Sequence, residues 1–568
     1  MSWQTLDIGK IKSVGILRDK LVFGKMISRA QCAKVRLMDA KSCKTCGQKF
    51  EVRAVDREFL EKMQVPQPTL CPDCRAQRRL AFRNQRNLYH RKCDFTGENM
   101  ISLYSPDKPY KVYKEEVWWS DQWDPMDYGR DFDFTRPFFE QFKELLLAVP
   151  RRGMHQDGTN ENSKYISYGS SNKNCYLAFT CFYSEDTYYS TMVGFSKDCM
   201  DSYFCGESQL LYECVDTGKS YMSAYLTNCA ECQNSYFLDD CRACKNCIGC
   251  KNLRNKEYHI FNKPVSPEEF ETFKAEMLRG DLDAFKTEFD AWKLSQPFLY
   301  ARIKNSENCT GDHIENAKDC HHSFELVLGA ENCNYCQAAG WKGKDLFDCS
   351  RAGKESELLY EMHATVTSHR SAFGNFCGGV SDSYYIDSVD MLDHCFGAVG
   401  LRHKQYCILN KQYTKEEYEA LLPKIIAHMK ATGEWGEFLP PSMSPFAFNE
   451  TLAAEYYPLS REEVLKRGWK WKELEAKGKV ATTDSLSCAT CTQPYKVVPQ
   501  EAEFYKKMGL PTPKNCHECR HTRRMRSTNP YHLWTRNCAQ CGVEFQSSYS
   551  PGRTEILYCE ACYLKTVY

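Results

Sequence analysis

The chain has 568 residues, a formal charge of +1 from 75 Lys and Arg against 74 Asp and Glu, and 33 cysteines. That length predicts about three to five domains, and the balanced charge excludes a polycation that coats nucleic acid along its whole surface. No stretch approaches the roughly 20 apolar residues of a membrane helix, and Met1-Ser2-Trp3-Gln4 does not open a basic, then apolar, export signal. With an odd cysteine count and CxxC pairs in place of a disulfide pattern, the sequence predicts a cytoplasmic protein with reduced thiols and no membrane contact.

Residues 1–40 form a mildly basic extension carrying Cys32. Residues 41–90 contain Cys43, Cys46, Cys71 and Cys74, two CxxC pairs that bring four thiolates within tetrahedral reach of one Zn²⁺. In a segment too short for its own core, the metal supplies the folding energy. This module recurs with an offset of 445: Cys488, Cys491, Cys516 and Cys519 occupy residues 486–530, with Thr492 in place of Gly47. Residues 531–568 add a further set, Cys538, Cys541, Cys559 and Cys562, whose counterparts in residues 91–130 are Cys93, Thr96, Lys114 and Val117. Three zinc ions are therefore expected, with the module at 91–130 held by Trp118, Trp119 and Trp123 in place of metal.

A helical connector at 131–158 begins at Pro137 and carries Phe138, Phe139, Phe142, Leu145 and Leu146 on one face. From Asn160 onward, phrases of Asn or Asp, a small residue and an aromatic recur every 9 to 15 residues, as in Asn174-Cys175-Tyr176 and Asp201-Ser202-Tyr203. Short strands of this kind suit a stacked parallel β-solenoid. It has two parts, residues 159–300 and 301–432, related by an offset of 148 that takes Cys247 to Cys395 and Tyr258 to Tyr406. Each ends in a helix opened by a capping box, Ser266/Glu269 and Thr414/Glu417. Trp341 to Gly379 reads as an insertion that breaks the rhythm, and 433–485 as a connector with a charged helix from Arg461 to Lys479. The fold class expected is mainly β and multi-domain: zinc ribbons at both ends flanking a two-part parallel β-solenoid-like region with short helices.

The Cys-x2-Cys-Gly, Glu-x-x-Phe/Tyr helix, Pro and Cys-x2-Cys-Arg wording of Cys43–Arg75 and Cys488–Arg520 resembles the "probable zinc-ribbon domain" family of small bacterial proteins. The run from Arg91 to Leu147, with Tyr104-Ser105-Pro106 and Trp118-Trp119-Ser120-Asp121, is similar to uncharacterised multi-zinc-ribbon bacterial proteins of ultrasmall lineages. The resemblance implies zinc binding and no particular activity.

Basic residues cluster after the ribbon ligands: Arg75, Arg78, Arg79, Arg83, Arg86, Arg91 and Lys92 at one end, and Arg520, Arg523, Arg524, Arg526 and Arg536 at the other. Interleaved with Phe82, Tyr89, Tyr531 and Trp534, they combine phosphate contacts with base-stacking surfaces, which predicts binding to RNA or a ribonucleoprotein. The opposing reading is internal, because Cys181 to Asp240 holds ten Asp and Glu against two Lys and could receive the arginines itself. Nineteen cysteines lie between Cys175 and Cys407. Their exchange with Ser and Thr at matching places favours packing over ligation, with the run Cys241, Cys244, Cys247 and Cys250 as the exception. No phosphate-binding glycine loop, His-Glu-x-x-His or nucleophile elbow is present. The sequence reading is thus a non-enzymatic zinc-binding adaptor. Its alternatives are a protein–protein scaffold using the solenoid surface, and an enzyme built on His321, His322, His363, His369, His394 and His403.

Overall fold

Every third residue from Tyr168 to Asn246 has a left-handed backbone, including Tyr183, Phe195, Leu210 and Met222 at φ between 47° and 56°. That conformation costs an L-residue about 1–2 kcal/mol, so so long a run persists only where each corner is held. Here the preceding turn holds it: the Tyr183 N–H donates to the Ser170 carbonyl at 3.1 Å and the Phe195 N–H to the Phe182 carbonyl at 3.0 Å. Between corners, one residue in three points inward, and Cys199, Ser202, Cys205, Ser208, Leu211 and Cys214 are all buried.

After four corners the chain returns to the same ladder position, so Tyr203 pairs in parallel with Thr191 before it and Val215 after it, 12 residues away on each side. The computed structural model, which describes residues 40–156, 158–473 and 485–567, thereby assembles a first stack whose strands form one twelve-stranded sheet between Tyr165 and Pro264. Inward Ser and Cys make the same bond, which explains why they interchange. Ser208 Oγ donates to the Gly206 carbonyl at 2.8 Å, and Cys232 Sγ to the Ala230 carbonyl at 3.4 Å.

The second stack runs from Ile303 to Gln412 in a three-stranded and an eight-stranded sheet. Its step is 11 residues at Ile303↔Ile314, 13 at Ala317↔Ala330 and Lys344↔Glu357, and 12 at Glu357↔His369. Residues 341–379 are therefore no insertion. They form strands Gly343–Phe347, Glu357–Val366 and His369–Gly378 in continuous parallel register, and the longer step alone disguised them. Both stacks close on an antiparallel hairpin, His259↔Pro264 and Cys407↔Gln412, and both following helices carry the expected capping box.

The helix Phe138–Ala148 buries Phe138, Phe142, Leu145 and Leu146 against Tyr385 and Phe396 at the end of the second stack. Residues after Gly433 do more than connect, since Trp435, Phe438, Leu439 and Met443 complete the same core. The charged helix there is Arg461–Lys466 and ends at Arg467: residues 467–473 are not helical, so the expected run to Lys479 is not one helix; 474–484, like 1–39 with Cys32, lie outside the described residues. No helix among the described residues is long and apolar enough to cross a membrane.

Candidate metal centres and the basic segments beside them

Each four-cysteine set is built from two knuckles. In the first, strands Lys41–Ser42 and Lys49–Phe50 form a hairpin, and its turn places Cys43 and Cys46 beside Cys71 and Cys74 at the start of helix Pro72–Leu80. The sulfurs of Cys43/Cys46/Cys71/Cys74, Cys488/Cys491/Cys516/Cys519 and Cys538/Cys541/Cys559/Cys562 lie within 4.8 Å of one another in each set, so all three sets could hold a metal ion. Backbone N–H groups point at the sulfurs, from Cys516 to Cys488 and from Cys559 to Cys538, both at 3.3 Å. Burial opposes ionisation of Cys488, but the N–H groups of Cys491 and Cys516 outweigh it and lower the thiol to about 6. Hydrogen bonding from Cys74 brings Cys71 down to about 5. Thiolate-only donors in this geometry fit Zn²⁺.

The turn after each second knuckle cysteine is left-handed: φ is 73° at Gly47, 76° at Gly542 and 60° at Thr492. A β-branched residue is strained there. Thr492→Gly should therefore stabilise the central C-terminal ribbon by about 1 kcal/mol, read as a higher chelator concentration at half-loss of its zinc; an unchanged midpoint would refute this.

The module at 89–119 keeps the zinc framework without the ligands. The Gly97 N–H donates to the Cys93 carbonyl and the Lys114 N–H to Cys93 Sγ, matching Gly542→Cys538 and Cys559→Cys538 at the other end. Lys114 and Glu98 form an ion pair. Trp118 and Trp123 are buried beside it, whereas Trp119, expected to share that packing, is 41% exposed. Trp118→Ala should cost about 3–5 kcal/mol in denaturant unfolding, while Cys93→Ser should cost little. Loss of a zinc in the Cys93 variant would contradict this assignment.

The structure places the basic residues against the stacks. In the N-terminal ribbon, Arg75 meets Asp348 at 2.9 Å, Arg78 meets Glu361 at 2.9 Å and Glu437 at 3.0 Å, and Arg79 meets Glu361 at 2.8 Å and Asp348 at 3.3 Å. Burial alone would raise the Glu361 carboxyl, but Arg78 and Arg79 hold it below the usual range. In the C-terminal ribbon, Arg520 meets Asp201 at 2.8 Å, Arg524 meets Asp201 at 2.9 Å and Glu213 at 3.1 Å, and Arg523 meets Glu213 at 3.0 Å and Asp283 at 2.8 Å. Arg83 lies flat on Tyr168 at 3.6 Å and donates to Thr180 at 3.0 Å; burial, with Arg351 nearby, lowers it to about 9. Arg86 pairs with Glu518, Arg91 with Asp94, and Arg536 donates to the Tyr549 and Ser550 carbonyls. Only Lys92 and Arg526 of the twelve candidates are classed as exposed.

These contacts obey a two-fold relation. The N-terminal ribbon sits on the second stack and the C-terminal ribbon on the first: Phe59 packs against Tyr360, and Phe504, its equivalent 445 residues on, packs against Tyr212, the equivalent of Tyr360 at 148. The outer modules are also related by the two-fold but pair the other way, each at the entry to the stack of its own half. Val112 pairs with Arg151 at the entry to the first stack, and Leu557 pairs with Phe298 at the entry to the second. The ribbons also touch each other, through Asp73 and His532 at 2.5 Å.

The six histidines do not converge. His363 is buried with Nδ1 on the Arg79 carbonyl at 3.0 Å, His322 faces Asp73, His369 is exposed, and His394 lies with Asp382 and Asp393 on the outer face. Sequence reasoning missed the acceptors Asp348 and Glu361; the offset of 148 takes Glu213 to Glu361, but it takes Asp201 to Cys349, one residue past Asp348, because the second stack has longer turns here. Comparison of the chain with protein-family models, with curated proteins and with solved structures returns no match.

Proposed function

We propose that this chain is a non-enzymatic, cytoplasmic interaction scaffold: two β-solenoids locked side by side by zinc ribbons, with three structural Zn²⁺ ions. The observation that carries the reading is the fate of the arginines. Arg75, Arg78, Arg79, Arg520 and Arg524 are buried on carboxylates of the stacks, which leaves those guanidinium groups no face for phosphate. A guanidinium committed to a buried carboxylate is a fastening, and two such fastenings support a rigid platform whose outer ladders are free to take a protein partner. The ribbons resemble the zinc-ribbon family in ligand pattern, and here they act as clamps.

The test is recovery of what co-purifies with the tagged full chain, with and without nuclease, together with titration of single-stranded RNA across a salt series. A defined protein partner that survives nuclease is expected, with at most weak RNA binding. RNA affinity that falls steeply with salt, by roughly 0.7 in log–log slope per phosphate contact, would return the function to RNA or a ribonucleoprotein.

A further inference from the structure

Most inward positions of the first stack alternate thiols with hydroxyls and aliphatics, as in Cys205, Ser208, Leu211 and Cys214. One turn departs from this. Cys241, Cys244, Cys247 and Cys250 fill all four of its inward positions, and the turn before it adds Cys229 and Cys232. The ladder sets their relation in space: Ala230 pairs with Arg242 and Gln233 with Lys245, so Cys229 lies over Cys241 and Cys232 over Cys244. All six are at most 2% exposed, in an interior otherwise filled by Leu226 and Leu238.

Each sulfur is oriented by its own backbone. Cys229, Cys232, Cys244, Cys247 and Cys250 donate to the carbonyl two residues back at 3.2 to 3.4 Å, which fixes each sulfur on the inward side of its strand. Neighbouring thiols are close enough to act on each other's ionisation. Hydrogen bonding from Cys232, Cys241 and Cys247 pulls the Cys244 thiol below its ordinary value, while burial pushes Cys229 and Cys241 up.

We propose that Cys229, Cys232, Cys241, Cys244, Cys247 and Cys250 form a buried binding site for a soft monovalent d10 cation, Cu(I) being the simplest. The choice of ion follows from geometry. In the ribbons four sulfurs lie within 4.8 Å of one another, as a tetrahedral ion requires, and no three of these six thiols form such a group. An iron–sulfur cluster requires thiolates spread around an inorganic core, and the axis here is already filled. Two-coordinate Cu(I) needs thiols only in pairs, and soft thiolate donors select it. Binding is ligand exchange without electron transfer: each thiol that bonds to the cation releases its proton to solvent.

The probe is Cu(I), supplied anaerobically as its acetonitrile complex to the zinc-loaded full chain, and separately by growing the expressing cells with added copper. Copper and zinc are then counted per chain after desalting, and thiolate-to-Cu(I) charge transfer is read in the near ultraviolet. At least one copper per chain is expected with all zinc retained. Serine occupies the same inward slots with the same bond in neighbouring turns, so Cys244→Ser with Cys247→Ser keeps the packing and should lose that copper while keeping its zinc. Cys199→Ser with Cys205→Ser, further along the same stack, should bind copper as the parent does. Copper bound only in proportion to zinc released, or equal copper in the Cys244/Cys247 variant, would overturn the site.

Discussion

Arg79→Met should destabilise the protein by about 3–5 kcal/mol in denaturant unfolding, the usual cost of breaking a buried ion pair from one side. Arg79 is fully buried, and its removal strands charge on Asp348 and Glu361, which Arg75 and Arg78 only partly offset. Adding Glu361→Gln should recover part of the loss, because the uncompensated charge and not the missing contact dominates; a double-mutant cycle separates the two. The equivalent Arg524→Met should behave alike on the first stack, where Asp201 and Glu213 take the same parts. A loss under 1 kcal/mol at both positions would mean the ribbons are held by apolar contacts such as Phe59 on Phe347 alone.

Elemental analysis should find about three zinc ions per chain, and Cys71→Ser should remove one of them together with the docking of its ribbon. Structural zinc contributes on the order of 10–16 kcal/mol to small ribbons near neutral pH, far above what residues 41–80 could replace with their own core. The expected readout is rapid proteolysis of residues 41–80 and a lowered unfolding midpoint for the second stack, from which Phe59, Arg75 and Arg79 are withdrawn together. A variant that keeps three zincs would refute the ligand set, and five or more zincs in the parent would show that thiols of the stacks take zinc as well.

Local chemistry with short-range consequences was legible in the sequence. The ligand sets, the capping boxes at Ser266 and Thr414 and the buried stripe from Phe138 to Leu146 each depend on residues a few positions apart, so their spacing carries the information. The turn of the stacks was only half legible. Its corners accept Tyr, Phe, Leu and Glu alike because backbone bonds hold them, so the regular signal lies in the small inward residue at every third place, beneath a variable outer pattern. The docking was not legible as a pairing. An arginine row after a ribbon looks the same whether it awaits phosphate or a carboxylate, and Glu361 stands 282 residues from Arg79. The acidic run from Cys181 to Asp240 is the acceptor of Arg520, Arg523 and Arg524, whereas Arg75, Arg78 and Arg79 bind the other stack.

The crosswise seating of the ribbons makes this single chain a domain-exchanged dimer of itself. Each half, ribbons plus stack plus capping helices, lays its inner four-cysteine ribbon on the stack of the other half, so neither half is complete alone. Cleavage between Lys293 and Pro297 would therefore not release two proteins, because both fragments would remain buckled together through the two arginine–carboxylate joints. The linker in that gap fixes the stoichiometry of a pairing that the surfaces already specify.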